Sequence, residues 1–168
     1  VTFPSNVGEA SAMIRQLGTE FHATKKAELI CIQIDDAVQN IEVPRAVSSL
    51  IFIWKRPYWT VNESTYVNSI CETVGLKNVF AQLKDRYPQL TDDFIIAADP
   101  EAVLFPDEPY VFRQKDVLEF QNQFPGLKAV QQNKLIMLDG TYLTWHGVRT
   151  LKALHELPKI LKQAGLWN

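Results

Sequence analysis

The chain has 168 residues, of which 46% are hydrophobic and 21% are charged, and its formal net charge is −2. This length and composition are typical of one globular domain with a substantial core. The near-neutral charge, with no run of lysine or arginine, argues against nucleic acid as a partner. The longest apolar run, residues 50–54, is far shorter than the ~20 residues that cross a bilayer.

The chain termini and the two cysteines indicate little about the function of the chain. The first residues lack the basic and apolar regions of a secretion signal, so residue 1 is interpreted as the start of a mature, trimmed or engineered chain. Cys31 and Cys71 form no CxxC pair, which argues against a structural zinc site. Whether these two cysteines are bonded stays open, because sequence alone does not place their Cα atoms.

Two helices are predicted in the first quarter of the chain. Ser5 or Asn6 caps a short amphipathic helix that is expected to end at Gly18. Apolar residues then recur with helical spacing over 19–41. That second helix is predicted to be roughly 30 Å long. Pro44 marks its end.

Strands and helices alternate in the rest of the chain. The apolar run 47–54 predicts a parallel strand that is buried on both faces. Shorter strands are predicted at 102–105, 127–130 and 135–138. Helices are predicted from about Val67 to Val74, from Thr91 to Asp99, over 114–124 and from about Gly147, the last one kinked or split at Pro158. This order predicts an α/β fold with a mainly parallel four- to five-stranded sheet flanked by helices.

Aromatic residues are concentrated in the loops that follow the predicted strands, 55–63, 106–113 and 139–147. Ligands of parallel sheets bind outside the carboxyl ends of the strands. Residues 54–59 hold three aromatic side chains and two cations. Their flat faces suit a ring-rich ligand, and the cations suit its carboxylates. The alternative is that Trp54 and Trp59 only close the top of the core. Three such loops favour a broad, shallow binding site.

Enzyme chemistry finds weak support. The three histidines lie on separate predicted elements, and no nucleophile elbow, phosphate loop or dinucleotide motif is present. One rival hypothesis is a small α/β enzyme with a flavodoxin-like sheet, for which His146, Asp139 and Arg149 are the candidate catalytic residues. A third hypothesis is a domain that only binds partner proteins.

Several segments, in order, resemble one known family. Residues 53–60 (IWKRPYWT), 74–80 (VGLKNVF) and 138–151 (LDGTYLTWHGVRTL) look like signatures of the periplasmic cobalamin-, siderophore- and haem-binding proteins of ABC importers. Residues 86–91 (RYPQLT) and 98–104 (ADPEAVL) fit the segment between them. Leu76 replaces the second glycine of the usual pair. The resemblance covers nearly all of the chain.

This resemblance implies a non-enzymatic protein that holds its ligand in a cleft between two lobes joined by a rigid helix. Residues 1–44 would comprise the helical segment with that connecting helix, and 45–168 the α/β C-terminal lobe, with the N-terminal lobe absent. The implied location is periplasmic or lipid-anchored extracytoplasmic, and the partners are an ABC permease and ATPase. No intrinsic cofactor or resident metal is expected. The transported ligand would be cobalamin first, then a ferric siderophore, then haem.

Individual roles follow from the same resemblance. Tyr87 falls where the family's cobalamin binder has a ligand-packing tryptophan, and Trp145 falls where that binder has a ligand-contacting arginine. Asp93 falls where a surface glutamate docks onto the permease. The expected ligand-binding residues are Tyr58, Trp59, Tyr87, Tyr110, Phe112, Tyr142, Trp145 and Arg149.

Charged and metal-binding groups complete these expectations. Lys55, Arg56 or Arg149 would pair with acidic groups of the ligand. If the ligand is haem, its axial ligand would come from Tyr58, Tyr142 or His146. An isolated lobe with an exposed aromatic face is also expected to self-associate.

Overall fold

The computed structural model describes residues 3–167 and contains a parallel sheet covered by helices on both faces. The elements are α1 (Val7–Glu20), α2 (Thr24–Asn40), β1 (Val47–Ile51), α3 (Tyr66–Thr73), β2 (Leu76–Asn78), α4 (Asp92–Ala98), β3 (Ala102–Pro106), α5 (Gln114–Gln123), α6 (Lys128–Gln131), β4 (Leu135–Leu138), α7 (Thr141–Thr144) and α8 (Arg149–Gln163). The strand order is β2-β1-β3-β4, and every neighbouring pair is parallel. The predicted α/β fold class is confirmed.

Each central strand sends alternate side chains to opposite faces of the sheet. On β1, Val47 and Ile51 join the core that packs under α1, α2, α3 and α8. Leu50 on β1 and Phe105 on β3 join a second, aromatic core on the other face, together with Phe120 of α5. Burial on both faces explains why β1 is an unbroken apolar run in the sequence.

The strands differ from the prediction at three places. The predicted strand 127–130 is absent, and α6 forms a helical turn there, because Leu127 and Lys128 accept the backbone N–H groups of Gln131 and Gln132. The edge strand β2 has no apolar run of its own and was not predicted. Its position depends on pairing with β1. β1 also ends at Ile51, before the predicted Trp54, because the chain turns back on itself after Phe52.

The helical hairpin at the start differs from the prediction in its boundaries. Asn6 caps α1 by accepting the backbone N–H of Glu9 at 2.8 Å. The helix then continues through Gly18 to Glu20, so the predicted stop at Gly18 is wrong. The long helix is present as α2, but its 17 residues span 24–40. It is therefore about 25 Å long.

The last helix runs from the carboxyl edge of the sheet to the opposite edge. Lys134, just before β4, donates to the carbonyl oxygens of Ala164 and Gly165 at 2.7 and 3.0 Å. This places the end of α8 at the amino end of β4. Pro158 lies inside α8, which remains one helix from Arg149 to Gln163 and is not split.

Two further observations concern the described residues 3–167. Both cysteines are buried free thiols, and burial raises the pKa of each. Within the same range, no helix combines the length and the apolar composition that crossing a membrane requires.

The hairpin predicts a stability effect at Gly18. A Cβ atom there would lie 2.3 Å from the Cβ of Ala27, so the two helices would have to separate. We expect Gly18→Ala to lower the free energy of unfolding by about 1–3 kcal/mol, as overpacking does, although alanine favours the helix itself. Urea denaturation measures this change.

The control lies on the same helix. Gly8 is exposed, and a Cβ there would meet its nearest neighbour, the Asn6 side-chain oxygen, at 3.4 Å. Gly8→Ala should therefore leave stability unchanged or slightly higher. Equal stability of both variants would contradict the close helix contact at Gly18.

Candidate ligand-binding face

The loops after the four strands lie along one edge of the sheet, because the strands are all parallel. Two adjoining hollows open there. The first, which we call the aromatic hollow, has a volume of about 510 Å³ and is lined by Ile53, Trp54, Pro57, Trp59, Tyr87 and Pro109. The second, the histidine hollow, has about 500 Å³ and includes Tyr66, Arg86, Thr144 and His146 in its lining. Both hollows share Ile53, Tyr87 and Pro109, so they form one continuous face.

The turn 53–59 forms one wall of the aromatic hollow. Ile53 donates its N–H to the carbonyl of Trp59 at 2.9 Å, and Trp59 donates to the carbonyl of Trp54 at 3.1 Å. The Trp54 side chain is 47% exposed, and its ring meets Tyr110 edge to face at 5.6 Å. The turn thus presents an indole to the solvent on a backbone that is closed by hydrogen bonds.

Tyr87 forms the ridge between the two hollows. Its side chain is 48% exposed, and the guanidinium of Arg86 lies 5.8 Å from its ring centre. The loop that carries it is held to the turn, because Leu90 donates its N–H to the carbonyl of Tyr58 at 2.9 Å. Trp59 and Tyr87 therefore lie together in the lining of the aromatic hollow.

Tyr58 and Phe112 correct the prediction, because both are buried in the aromatic core. Tyr58 is 8% exposed and stacks on Phe52 with ring centres 4.6 Å apart. Its burial raises its pKa. Phe112 packs between Phe52 and Phe105. Neither ring is available to a ligand, and Tyr58 is no candidate for an axial iron ligand.

Lys55 also differs from its predicted role. Its buried ammonium donates to Asp116 at 2.8 Å and to Glu119, so no ligand carboxylate is needed to neutralise it. Burial disfavours the ammonium, but the hydrogen bonds that it donates to these two carboxylates outweigh that effect and leave the pKa of Lys55 raised. Arg56 is largely exposed and lies 3.1 Å from the same Glu119.

Trp145 and Arg149 form a separate cluster beside the two hollows. The Trp145 indole is 53% exposed and donates to Glu108 at 2.7 Å. The Arg149 guanidinium lies 5.4 Å from the indole centre and donates to Thr141. Neither residue lines the hollows.

The remaining predicted residues are distributed around the face. Tyr110 is half-buried under Trp54. Tyr142 is half-buried against the first core, with the Lys152 ammonium 5.5 Å from its ring. His146 lines the histidine hollow and meets the Tyr66 ring edge to face at 5.8 Å. Asp93 lies elsewhere, exposed in the first turn of α4.

Some residues of the face were not foreseen. Ile53 and Pro109 form the boundary shared by the hollows, and Arg86 and Tyr66 line the histidine hollow. The only sequence signal for the first two was their position directly after a strand.

The structure places the candidate catalytic residues Asp139, Arg149 and His146 in two separate sets of contacts. The Arg149 guanidinium lies 3.8 Å from the carboxylate of Asp139. His146 makes its ring contacts with Tyr66 and Phe3. Within residues 3–167, no group of three or more His, Cys, Asp or Glu side chains is placed to hold a metal ion.

The loops after β3 and β4 are tied together at Gly140. Its N–H donates to the Asp107 carboxylate at 2.6 Å, and a Cβ there would lie 2.4 Å from the backbone nitrogen of Glu108. We expect Gly140→Ala to force these loops apart and lower the free energy of unfolding by about 1–3 kcal/mol. Urea denaturation provides the measurement. Gly126→Ala is the control, because a Cβ atom at Gly126 would have no atom within 4 Å. Equal stability of the two variants would refute the close contact at Gly140.

Comparisons with known proteins identify the family and the fold of the chain. The family model for periplasmic binding proteins matches residues 1–142. The periplasmic vitamin B12 binding protein BtuF of Vibrio cholerae superposes with a TM-score of 0.80 at 17% identity, over 97% of this chain and 64% of that one. A possible iron-binding protein from Staphylococcus epidermidis gives 0.80 at 17% identity, over 95% and 64%. The periplasmic heme-binding protein RhuT from Roseiflexus sp. RS-1 gives 0.77 at 19% identity, also over 95% and 64%.

At these identities the solved structures show a shared fold only. The chain spans 64% of the length of each of these three structures. A search of curated protein sequences gave no match. The family model covers well over half of the chain and confirms the resemblance found in the sequence. The chain belongs to the periplasmic binding protein family.

Proposed function

We propose that this chain supplies one lobe and the connecting helix of the substrate-binding component of an ABC importer. Residues 1–44 contain the connecting helix, and residues 45–168 form the lobe. The component captures cobalamin or an iron chelate outside the cytoplasm and delivers it to a membrane permease. The observation that carries this proposal is the group of the exposed Trp54 and Tyr87 and the half-buried Trp59 around two adjoining hollows at the carboxyl edge of the sheet.

The chemistry of the face suits a large ligand with flat rings. Each hollow has the volume of a small-molecule site, and the shared ridge at Tyr87 lets one ligand fill both. Trp54 and Trp59 offer aromatic faces to a macrocycle. Arg86, which lines the histidine hollow, offers a cation to a propionate or phosphate group. Arg86 thus takes the ligand-pairing role that the sequence suggested for Lys55, whose charge is already paired inside the protein.

The ligands are ranked by the groups that the face provides. Cobalamin is first, because a broad aromatic face needs no protein ligand to the metal. A ferric siderophore is second for the same reason. Haem is third, because it requires an axial side chain, and His146 is the candidate that lines a hollow. The related structures named for vitamin B12, iron and heme support this set of ligands.

A second lobe is part of the proposal, because the face is open to solvent. One lobe supplies half of the contacts, so the isolated chain should bind more weakly than the full-length protein. Self-association of the isolated lobe through exposed apolar side chains stays a prediction.

The aromatic hollow predicts the effect of two substitutions on binding. The full-length protein is titrated with cyanocobalamin, a ferric hydroxamate siderophore and haemin, and binding is followed by calorimetry and visible absorbance. For whichever ligand binds, Trp54→Ala and Trp59→Ala should each weaken the affinity about tenfold, because each removes a stacked ring and its buried area.

Phe94→Ala is the matched control. Phe94 is also an exposed aromatic residue, but it lies on α4 outside both hollows. Unchanged affinity in both tryptophan variants would refute the aromatic hollow as the binding site. Failure of all three ligands to bind would refute the proposed ligand class.

Asp93 is proposed to dock the loaded protein onto the permease. The adjacent Asp92 accepts a hydrogen bond from the side-chain amide of Gln123 at 2.9 Å. Asp92 is therefore a matched control, because it has the same charge but its carboxylate already has a partner within the protein. In proteoliposomes with the cognate permease and ATPase, Asp93→Asn should reduce transport several-fold and leave ligand affinity unchanged. Asp92→Asn should have a smaller effect. Equal transport by Asp93→Asn and the unmodified protein would exclude this role.

A further inference from the structure

A buried ionic network lies directly beneath the turn that carries Trp54 and Trp59. The Lys55 ammonium is 4% exposed and donates to Asp116 Oδ1 at 2.8 Å, and the Asp116 side chain is also 4% exposed. Lys55 also donates to Glu119, which Arg56 contacts at 3.1 Å. Two successive residues of the turn are thus held by acidic residues of α5.

Asp116 has little freedom to move. Its second oxygen accepts the backbone N–H of Arg113 at 2.8 Å, at the start of α5. The burial of Asp116 alone would raise its pKa, but hydrogen bonds from Lys55 and Arg113 outweigh that effect and leave the pKa lowered. The carboxylate is therefore a fixed anion. The position of the Lys55 ammonium is fixed with it.

The turn has two attachments to one face of α5. Asp116, Glu119 and Phe120 are spaced i, i+3 and i+4, which places them side by side on the helix. The first two bind Lys55, and Phe120 meets the Tyr58 ring edge to face at 6.0 Å. Lys55 and Tyr58 therefore point into the protein, and Trp54, which directly precedes Lys55, remains about half exposed.

We propose that Lys55 is a positioning residue for the aromatic hollow: its ion pair with Asp116 fixes the orientation of Trp54 and Trp59 without touching the ligand. Packing of Tyr58 alone would keep the turn on the protein but would allow rotation about that contact. A buried, directional ion pair permits one arrangement, because any other leaves a charge unpaired in the interior. The effect on affinity rests on the proposed function of the hollow, whereas the effect on indole orientation does not.

The test separates positioning from simple stabilisation. Lys55→Met keeps the long apolar stem but leaves Asp116 buried and unpaired, so this variant is expected to lose stability. Lys55→Met/Asp116→Asn removes both charges, while the asparagine amide oxygen can still accept the backbone N–H of Arg113. This double variant should recover most of the lost stability, because no buried charge is left unpaired. Lys77→Met, at an exposed lysine of β2, is the control.

The first readout needs no ligand. The chain has four tryptophans, so the ¹H–¹⁵N spectrum of the full-length protein contains their indole N–H signals. Those of Trp54 and Trp59 are assigned by single replacements with phenylalanine. In the double variant these two signals should shift or broaden, while that of Trp167, which follows α8 at the opposite edge of the sheet, should not.

The second readout is affinity for the one of cyanocobalamin, ferric hydroxamate siderophore or haemin that the unmodified protein binds. The double variant should bind it at least tenfold more weakly despite its recovered stability. Unmodified signals and affinity in the double variant would overturn the proposal and leave Lys55 a purely stabilising residue. If none of the three ligands binds, the proposed ligand class fails, but the indole signals still decide whether Lys55 positions the turn.

Discussion

Parallel pairing of all four strands is the constraint on which the rest of the molecule depends. It requires helices on both faces, since the central strands β1 and β3 are buried on both sides. It also collects the four loops that leave the strands at one edge. The aromatic and histidine hollows lie there because the backbone directs these loops to one place. The opposite edge receives the end of α8, which Lys134 holds in place.

At the carboxyl edge of the sheet, the side chains of the turn 53–59 have two different roles. Tyr58 and Lys55 fasten it to the aromatic core and to α5. Trp54 and Trp59 are left to form the wall of the hollow. One short segment therefore contains both the side chains that attach it to the protein and those that line the aromatic hollow. This division explains why aromatic side chains of similar size have such different exposure.

The sequence was sufficient for the fold class because that signal is long and periodic: the run 47–54 and the alternation of strands with helices leave few alternatives. It was insufficient for the site, because successive side chains of a tight turn do not alternate regularly between two faces. The pattern of residue types therefore does not show which of them are buried. Arg56 adopts φ 64°, a left-handed conformation that breaks the alternation of a strand. Tyr58 therefore faces inward, which an alternating pattern of side chains does not predict. The helical turn at 128–131 was missed for a related reason, since a single turn is too short to show its period.

The ties between the loops after β3 and β4 have a thermodynamic consequence. Asp107 holds Gly140, and Glu108 holds the indole of Trp145, so these loops behave as one body. Their conformational entropy is lost when the chain folds and is not lost again when a ligand arrives. A ligand that contacts this part of the face would then bind with a smaller unfavourable entropy than one that must first order a flexible loop.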